Sequence, residues 1–267
     1  MGKIPRLDGE RKLTGFWVIG NWKMHGRLQV CKDLAYQMLA MTSQCPDPLH
    51  VAVAPALVHL DVVGSILKNS AILLAAQQAS AHVDGAFTGQ CSAAMLADLG
   101  VQLVLVGHSE CRADLEQKDD VLRAQMQRIA EQGMSVVLCL GEDLAAHEAG
   151  QTVSVIDRQL DILRDWVDWS RLLVAYEPVW SIGTGKVANP EHIAAIHGHI
   201  HQRLQDLGDA GQVVPVLYGG SVKPALMPQL LALSSVNGVL VGGASLDADQ
   251  FGQICKAVVD WPHVERA

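Results

Sequence analysis

Eight short apolar runs recur along the 267-residue chain, and stretches with helical periodicity separate them. Runs of four to six residues without polar alternation are typical of strands buried on both faces. The predicted strands are Trp17–Asn21, Val51–Ala54, Ile72–Gln77, Leu103–Val106, Val136–Leu140, Leu172–Tyr176, Val214–Tyr218 and Gly238–Val241. The predicted helices are Gln29–Thr42, Val58–Lys68, Ser92–Leu99, Glu116–Gln132, Thr152–Val167, Pro190–Leu207, Lys223–Leu233 and Asp247–Val259. This alternation indicates an α/β fold with a parallel sheet.

Eight strands alternating with eight helices fit either a closed barrel or an open doubly wound sheet. The count of eight favours the barrel, as does the lack of a G-x-G-x-x-G motif at any strand-to-helix turn. Hydrophobic residues make up 49% of the chain but aromatic residues only 4%, so the core is built from aliphatic side chains. The sequence therefore predicts one (β/α)8 barrel domain over residues 15–267, with eight parallel strands surrounded by helices. A short flexible extension over residues 1–14 is expected to precede it.

Charge and hydropathy exclude several classes of partner. The formal net charge is −8 and no basic run occurs, which argues against nucleic acid. No apolar stretch is long enough to cross a membrane, and the N-terminus has no signal-peptide core. The six cysteines are scattered without a C-x-x-C pair, which favours reduced thiols over disulfides or zinc. A cytoplasmic protein is expected.

Polar residues that break the apolar pattern lie where predicted strands end. Asn21 and Lys23 follow the first strand, His108 the fourth and Glu177 the sixth. The carboxyl ends of barrel strands converge on one face, where barrels place their active sites. This face would then hold a fixed cation, a hydrogen-bonding imidazole and a carboxylate. Burying a carboxylate is costly, so its presence here indicates a role. This convergence predicts acid–base chemistry.

Two further features at the same face indicate a lid and a phosphate site. The segment after Glu177 combines a stiff Pro178–Trp180 start with a glycine-containing tip, which is typical of a lid. Paired glycines follow the seventh strand, at Gly219 and Gly220, and the eighth, at Gly242 and Gly243. Paired glycines let the backbone approach an anion, and barrels often bind phosphate at this pair of loops.

A group of four histidines, His192, His197, His199 and His201, resembles a metal site at first sight. His197 and His201 have the i, i+4 spacing of a ligand pair. No carboxylate or cysteine stands at ligand spacing beside them. A solvated helix face is therefore predicted here, and no metal site.

Taken in order, the motifs resemble those of the triosephosphate isomerase family, and the similarity runs from about Val18 to Val259. They are Asn21-Trp22-Lys23-Met24, Gly85-Ala86-Phe87-Thr88-Gly89, Gly107-His108-Ser109-Glu110, Cys139-Leu140-Gly141-Glu142, Tyr176-Glu177-Pro178-Val179-Trp180, Ile182-Gly183-Thr184-Gly185-Lys186, Tyr218-Gly219-Gly220-Ser221 and Val241-Gly242-Gly243-Ala244-Ser245. The resemblance implies a TIM barrel that interconverts dihydroxyacetone phosphate and D-glyceraldehyde 3-phosphate through a cis-enediol(ate), without a cofactor.

The resemblance also implies roles for single residues. Glu177 is expected to be the base, and His108 is expected to be the neutral electrophile. Lys23 is expected to supply positive charge to the enediolate, and Asn21 to help hold the substrate. Ser109 and Glu110 are expected to support this group. The expected phosphate ligands are Gly183, Ser221, Gly242 and Gly243.

Family members are typically homodimers, so the loop Gln78–Gln90 is expected to reach into a partner and bring Thr88 near its active site. The sequence departs from the commonest family pattern at four positions: Gln78, Gln90, Cys111 and Ser181. None replaces an expected catalytic residue. Two of them, Gln90 and Cys111, are expected near the subunit interface.

Two alternatives to the triose reaction stay open at this point. A paralogue acting on a four-carbon ketose phosphate would use the same base, electrophile and phosphate loops. An inactive barrel that only binds phosphosugars is the other alternative, although Asn21, Lys23, His108 and Glu177 are all present.

Overall fold

A closed eight-stranded parallel barrel forms the centre of the molecule, as the strand pattern predicts. The computed structural model describes residues 15–42, 49–182 and 188–262. Each strand pairs with the next in chain order, and the last pairs with the first. The strands are β1 Phe16–Asn21, β2 Leu49–Ala54, β3 Leu73–Ala76, β4 Leu103–Val106, β5 Ser135–Leu140, β6 Leu172–Tyr176, β7 Val216–Tyr218 and β8 Gly238–Val241. The predicted TIM barrel is confirmed.

Helices surround the barrel and follow its strands. They are α1 Leu28–Thr42, α2 Leu60–Leu67, α3 Ala93–Asp98, α4 Ser109–Asp114, α5 Asp119–Glu131, α6 Leu144–Glu148, α7 Thr152–Leu160, α8 Pro190–Leu207, α9 Met227–Leu231 and α10 Ala248–Val259. Single 3-10 turns lie at Val179–Ser181 and Gly243–Leu246, directly after β6 and β8. Loops and short 3-10 turns therefore lie between the carboxyl ends of these strands and the helices that follow.

The period of two along each strand divides the core into an inner and an outer layer. In β1, Trp17 and Ile19 pack inside the barrel, whereas Phe16 and Val18 pack outward with the helices. All four side chains are almost fully buried. Both faces are apolar because both are covered, which is why the strands show no polar alternation.

The predicted helix Glu116–Gln132 begins later than the sequence indicates. The structure has α5 from Asp119, and the separate short helix α4 lies before it. Between them, Glu116 has a φ of +48°, a left-handed conformation that no helix continues through. Helix α4 has no buried residue, so it carries no apolar pattern by which it could be predicted.

Local capping chemistry fixes the start of α8. Asn189 accepts a hydrogen bond from the His192 N–H at 2.7 Å, and Pro190 is the first helical residue. The bounds agree with the prediction. The expected extension over residues 1–14 lies outside the described residues. Within the described ranges, no helix is both long and apolar enough to cross a membrane.

Candidate active site

The loop after β1 carries the candidate cation. Lys23 has a φ of +51°, a conformation that costs of order 1 kcal/mol or more for a residue with a side chain. Two contacts hold it: the Lys23 N–H donates to Asn21 Oδ1 at 3.0 Å, and Gln77 Nε2 donates to the Lys23 carbonyl at 2.8 Å. Asn21 is buried at the end of β1. The backbone is therefore held so that the lysine side chain projects from the mouth of the barrel.

The Lys23 ammonium is paired across the mouth. Its Nζ donates to Glu110 Oε1 at 2.6 Å, and Glu110 is half exposed in the first turn of α4. A Cβ placed on Gly242 would lie 3.6 Å from Lys23 Cε, so this side chain also passes beside the loop after β8. The structure thus brings together the ends of β1, β4 and β8.

His108 lies directly after β4 and caps α4. Its Nδ1 accepts a hydrogen bond from the Glu110 N–H at 3.2 Å, so that nitrogen carries no proton in this arrangement. In the neutral ring the proton is then on Nε2, which lies 3.0 Å from Glu177 Oε1. His108 is only 5% exposed. A buried imidazole N–H consequently points at the carboxylate.

Glu177 follows β6 and is 2% exposed. Besides the His108 contact, its Oε2 accepts the Ser109 N–H at 3.1 Å. Its backbone is clamped as well, because Glu177 N donates to the Leu140 carbonyl at 2.7 Å. The carboxylate therefore rests on the start of α4 with both oxygens hydrogen-bonded.

Two glycines make room for Glu177. A Cβ on Gly141 would lie 1.7 Å from the Glu177 carbonyl oxygen, and one on Gly219 would lie 2.9 Å from Glu177 Cγ. The first contact is with backbone, which cannot rotate away. No side chain therefore fits at Gly141 without displacing the segment that carries the carboxylate.

Opposing effects set the pKa of His108. Burial lowers the pKa, whereas attraction to the Glu177 carboxylate and the hydrogen bond to it raise the pKa. The Lys23 charge lowers it further, and the net pKa lies above the ordinary value. The elevation thus depends on Glu177 staying against the ring. Once the Glu177 carboxylate leaves, only the weaker attraction to Glu110 still raises the pKa, and burial and Lys23 favour the neutral form.

Sequence reasoning missed two supporting side chains. Gln77 fixes Lys23 from the end of β3, donating also to the Ala54 carbonyl at 3.0 Å. Arg112 donates from Nε to the Gly107 carbonyl at 2.8 Å and from Nη2 to the Cys139 carbonyl at 3.2 Å. It thereby joins the ends of β4 and β5 beneath His108. For Gln77, the available signal was its place at a strand end on the active face.

The predicted phosphate loops lie side by side, because β7 pairs with β8. Ser221 is half-buried after β7, whereas Gly243 opens the 3-10 turn after β8 and is exposed. Among the described residues, no atom lies within 4 Å of a Cβ built on Gly243, so an anion could approach this backbone. Gly183, the remaining predicted phosphate ligand, lies outside the described residues, as does most of the predicted lid tip.

The prediction of a solvated histidine face is wrong. His197 is fully buried, and burial lowers its pKa to about 3. Its Nδ1 and His201 Nε2 both lie within 3.2 Å of the Ser235 carbonyl oxygen, and His199 Nε2 lies 2.7 Å from Asp157 Oδ1. These three rings therefore do not converge on one point. The helix packs against β6 and β7, where the His197 ring contacts those of Tyr176 and Tyr218, and residue spacing alone cannot reveal this.

The expected interface loop is exposed in the isolated chain. Residues 82–90 are all exposed, including the apolar side chains of Val83 and Phe87. Within the chain, Gln90 accepts from Ser80 Oγ at 2.5 Å, and Cys111 Sγ lies 3.9 Å from Gln78 Oε1. The departures Gln90 and Cys111 therefore have separate partners here.

Comparison with known proteins agrees with this geometry. The family model described as triosephosphate isomerase matches residues 16–258. The chain is 41% identical over 259 residues to the triosephosphate isomerase of Psychrobacter sp. (strain PRwf-1), covering 90% of this chain and 97% of that protein. The corresponding enzyme of Dechloromonas aromatica (strain RCB) is 43% identical over 245 residues, with the same coverage. That of Neisseria meningitidis serogroup A is 43% identical over 244 residues, covering 90% of this chain and 96% of the relative. The chain belongs to the triosephosphate isomerase family.

Proposed function

We propose that this chain is an aldose–ketose isomerase that interconverts dihydroxyacetone phosphate and D-glyceraldehyde 3-phosphate without a cofactor. The observation that carries the proposal is the buried contact of 3.0 Å between His108 Nε2 and Glu177 Oε1 at the barrel mouth, with Lys23 beside it. Moving a proton between adjacent carbons needs a base and a group that polarises the carbonyl. In this chain Glu177 can serve as the base, and His108 can serve as the group that polarises the carbonyl.

Glu177 is the base in this proposal. Its carboxylate removes a proton from carbon 1 of dihydroxyacetone phosphate, and the C–H electron pair forms the enediolate double bond as the carbonyl oxygen becomes negative. His108 moves the hydroxyl proton from the oxygen on carbon 1 to the oxygen on carbon 2. The protonated carboxyl then returns a proton to carbon 2 as the oxygen on carbon 1 becomes the carbonyl, which gives the aldose. Because both oxygens of Glu177 are bonded to His108 and Ser109 in the ligand-free chain, substrate must displace it from this position.

His108 is the electrophile. The Glu110 N–H bound to Nδ1 leaves the proton on Nε2, so the ring donates to the substrate oxygens from that atom. When Glu177 moves to the substrate, the largest contribution that raises the pKa of His108 is removed. The imidazole then acts in its neutral form and donates a hydrogen bond from Nε2 to the substrate oxygens.

Lys23 stabilises negative charge on the enediolate oxygen, and Asn21 holds the lysine loop in place. Cationic and hydrogen-bonding groups aimed at a developing oxyanion lower the barrier because they are already oriented. The Lys23–Glu110 pair positions the ammonium at the mouth before substrate arrives. Backbone N–H groups of Ser221, Gly242 and Gly243, together with Gly183, are proposed to bind the phosphate.

We also propose a cytoplasmic homodimer in which the loop Gln78–Gln90 enters the partner subunit. Support comes from three apolar side chains that the isolated chain leaves exposed on loops after β1 and β3. Met24 is 93% exposed, Val83 57% and Phe87 38%. Large apolar side chains exposed at the same end of the barrel favour a surface that a partner covers. Sedimentation of the purified chain over a concentration series tests the dimer.

A coupled assay with glyceraldehyde 3-phosphate tests the reaction, run in parallel with a four-carbon ketose phosphate. The relatives named above are all triosephosphate isomerases, which favours the three-carbon substrate. We expect turnover of the triose phosphate well above that of the tetrose phosphate. A preference for the tetrose would overturn the substrate assignment, and binding without turnover of either would support an inactive barrel.

A further inference from the structure

A second carboxylate–imidazole cluster lies behind the active site, at the start of the predicted lid. Glu142 follows β5, His147 lies on α6 and His192 lies in the first turn of α8. One carboxylate oxygen and one ring nitrogen from each histidine all lie within 4.8 Å of one another. None of these three side chains has a part in the isomerisation described above.

Glu142 is fully buried, yet it has no lysine or arginine partner among the described residues. Its oxygens accept hydrogen bonds from Tyr176 Oη at 3.1 and 3.2 Å and from Trp180 Nε1 at 2.8 Å. Burying a carboxylate is costly unless an opposite charge or several donors offset the loss of water. The two donors orient the group but are neutral, which leaves its charge uncompensated by a formal cation.

The two imidazoles present nitrogen atoms to this carboxylate. His147 Nδ1 lies 3.5 Å from Glu142 Oε1, is shielded from solvent and makes no hydrogen bond. His192 Nε2 lies 3.0 Å from Tyr176 Oη, which itself contacts both Glu142 oxygens. A buried ring nitrogen without a hydrogen bond is unusual and needs an explanation.

We propose that Glu142, His147 and His192 form a binding site for a divalent transition metal ion, with Zn²⁺ as the best fit. Two imidazoles and one carboxylate, with a fourth position left to solvent, are a common ligand set for zinc. Oxygen-seeking ions such as Mg²⁺ would not select two nitrogen ligands. The ion would supply the missing positive charge beside Glu142 and a partner for His147 Nδ1.

The surroundings meet the remaining needs of such a site. Tetrahedral zinc holds its ligand atoms about 3.3 Å apart, so atoms within 4.8 Å need only modest rotation to converge. The His147 side chain is 31% exposed, so part of the ring lies at the protein surface beside the cluster. Tyr176 and Trp180 already donate to the carboxylate, as groups around a metal ligand usually do.

The position of Trp180 links this site to the predicted lid. The indole donates to Glu142 and stacks on His147 with ring centroids 4.2 Å apart, and it lies in the 3-10 turn after Glu177. Metal bound at Glu142 and His147 would therefore change the surroundings of Trp180 directly. This gives a readout of occupancy that does not depend on turnover.

The experiment titrates purified, chelator-treated protein with Zn²⁺ by calorimetry and with Co²⁺ by visible absorption, which reports tetrahedral coordination. In parallel, the indole N–H signal of Trp180 is followed by nuclear magnetic resonance. We expect one equivalent bound per chain, a shifted Trp180 signal, and affinity lower by about tenfold or more in His147→Ala and in His192→Ala. His199→Ala removes a half-exposed histidine from the same helix α8 and is the matched control, expected to bind like wild type.

Circular dichroism of each variant checks the fold, and His147→Ala is decisive because this side chain is partly exposed. Failure of wild type to bind Zn²⁺, or equal binding by folded His147→Ala, would overturn the proposal. A loss of affinity in His199→Ala as large as that in the two ligand variants would overturn it as well. Isomerase activity need not be measured, so a failed metal site and a failed proposed function are distinguishable.

Discussion

Glu142 and Glu177 are two buried glutamates that follow neighbouring strands of the same barrel, β5 and β6, yet their surroundings differ. Glu177 accepts hydrogen bonds from a backbone N–H and an imidazole at the barrel mouth, near the Lys23 ammonium. Glu142 is bonded to a phenol and an indole on the outer side of the strands, without a lysine or arginine among the described residues. Burial alone therefore does not distinguish a candidate base from a structural or metal-binding carboxylate.

The contrast lies in what each carboxylate would lose by moving. Glu177 would leave a ring N–H and the Ser109 N–H, both of which point into the open mouth where substrate oxygens could replace it. Glu142 would leave the Tyr176 hydroxyl and the Trp180 indole N–H, both of which point at its carboxylate beneath the protein surface. Glu177 is therefore suited to move during a reaction, whereas Glu142 is suited to hold its neighbours.

The largest expected effect is on activity and comes from Glu177→Gln. An amide keeps the shape but cannot accept the proton, so kcat should fall by about 10²- to 10⁴-fold. Circular dichroism should be unchanged, and substrate affinity should be nearly kept. Steady-state assays decide the matter: a variant with more than about a tenth of wild-type turnover would show that Glu177 is not the base.

Lys23→Ala should cause the second-largest loss of activity. Lys23 is the cation near Glu177, and Glu142 has no such lysine or arginine among the described residues. Loss of a positioned electrostatic group costs roughly 10²- to 10³-fold in rate. KM should also rise, since the ammonium attracts a dianionic substrate. If the rate falls but KM stays constant, Lys23 acts on the transition state alone.

Glu142→Gln should reverse the pattern and affect stability more than activity. The amide oxygen can still accept from Tyr176 and Trp180 at the Oε1 position, but these become weaker neutral hydrogen bonds, and an NH2 group replaces the Oε2 acceptor beside Tyr176 Oη. We expect the free energy of unfolding to fall by about 1–3 kcal/mol, measured by urea denaturation. Glu177→Gln is the matched control, and an equal loss of stability there would remove the distinction between the two carboxylates.

The smallest expected effect is a change in the pKa of His108. In wild type this pKa lies above its ordinary value because of Glu177, so the pair stabilises the fold below the unfolded pKa of about 6.5. That stabilisation is lost as the pH rises through the folded pKa. In Glu177→Gln, burial and Lys23 lower the pKa and only the Glu110 carboxylate still raises it, so the pKa should drop, as an NMR titration of the ring would report. An unchanged pKa would mean that the contact is absent in solution.

The strands could be predicted closely because burial on both faces leaves an uninterrupted apolar run. The bounds of β4, β6 and β8 match the sequence prediction at both ends, and α8 begins where Asn189 and Pro190 indicate. The short helix α4 could not be predicted, because its start depends on the His108 cap and it buries no apolar side chain.

The sequence also predicts some of the site residues and not others. The candidate catalytic residues could be named because each follows a strand, and strand ends share one face. The cluster of Glu142, His147 and His192 could not, because His192 on α8 is distant in sequence from the other two side chains. The histidines of α8 form a misleading pattern, since the burial of His197 depends on packing against the barrel and not on spacing.

The role of Glu177 in proton transfer is tested most directly by isomerisation in D₂O. The protein is incubated with dihydroxyacetone phosphate, and deuterium at carbon 2 of the glyceraldehyde 3-phosphate is measured by NMR. A carboxylate base that exchanges its proton with solvent predicts deuterium at this carbon in wild type, with both turnover and labelling lost in Glu177→Gln. Turnover and labelling that persist in Glu177→Gln at about the wild-type rate would contradict proton transfer by Glu177.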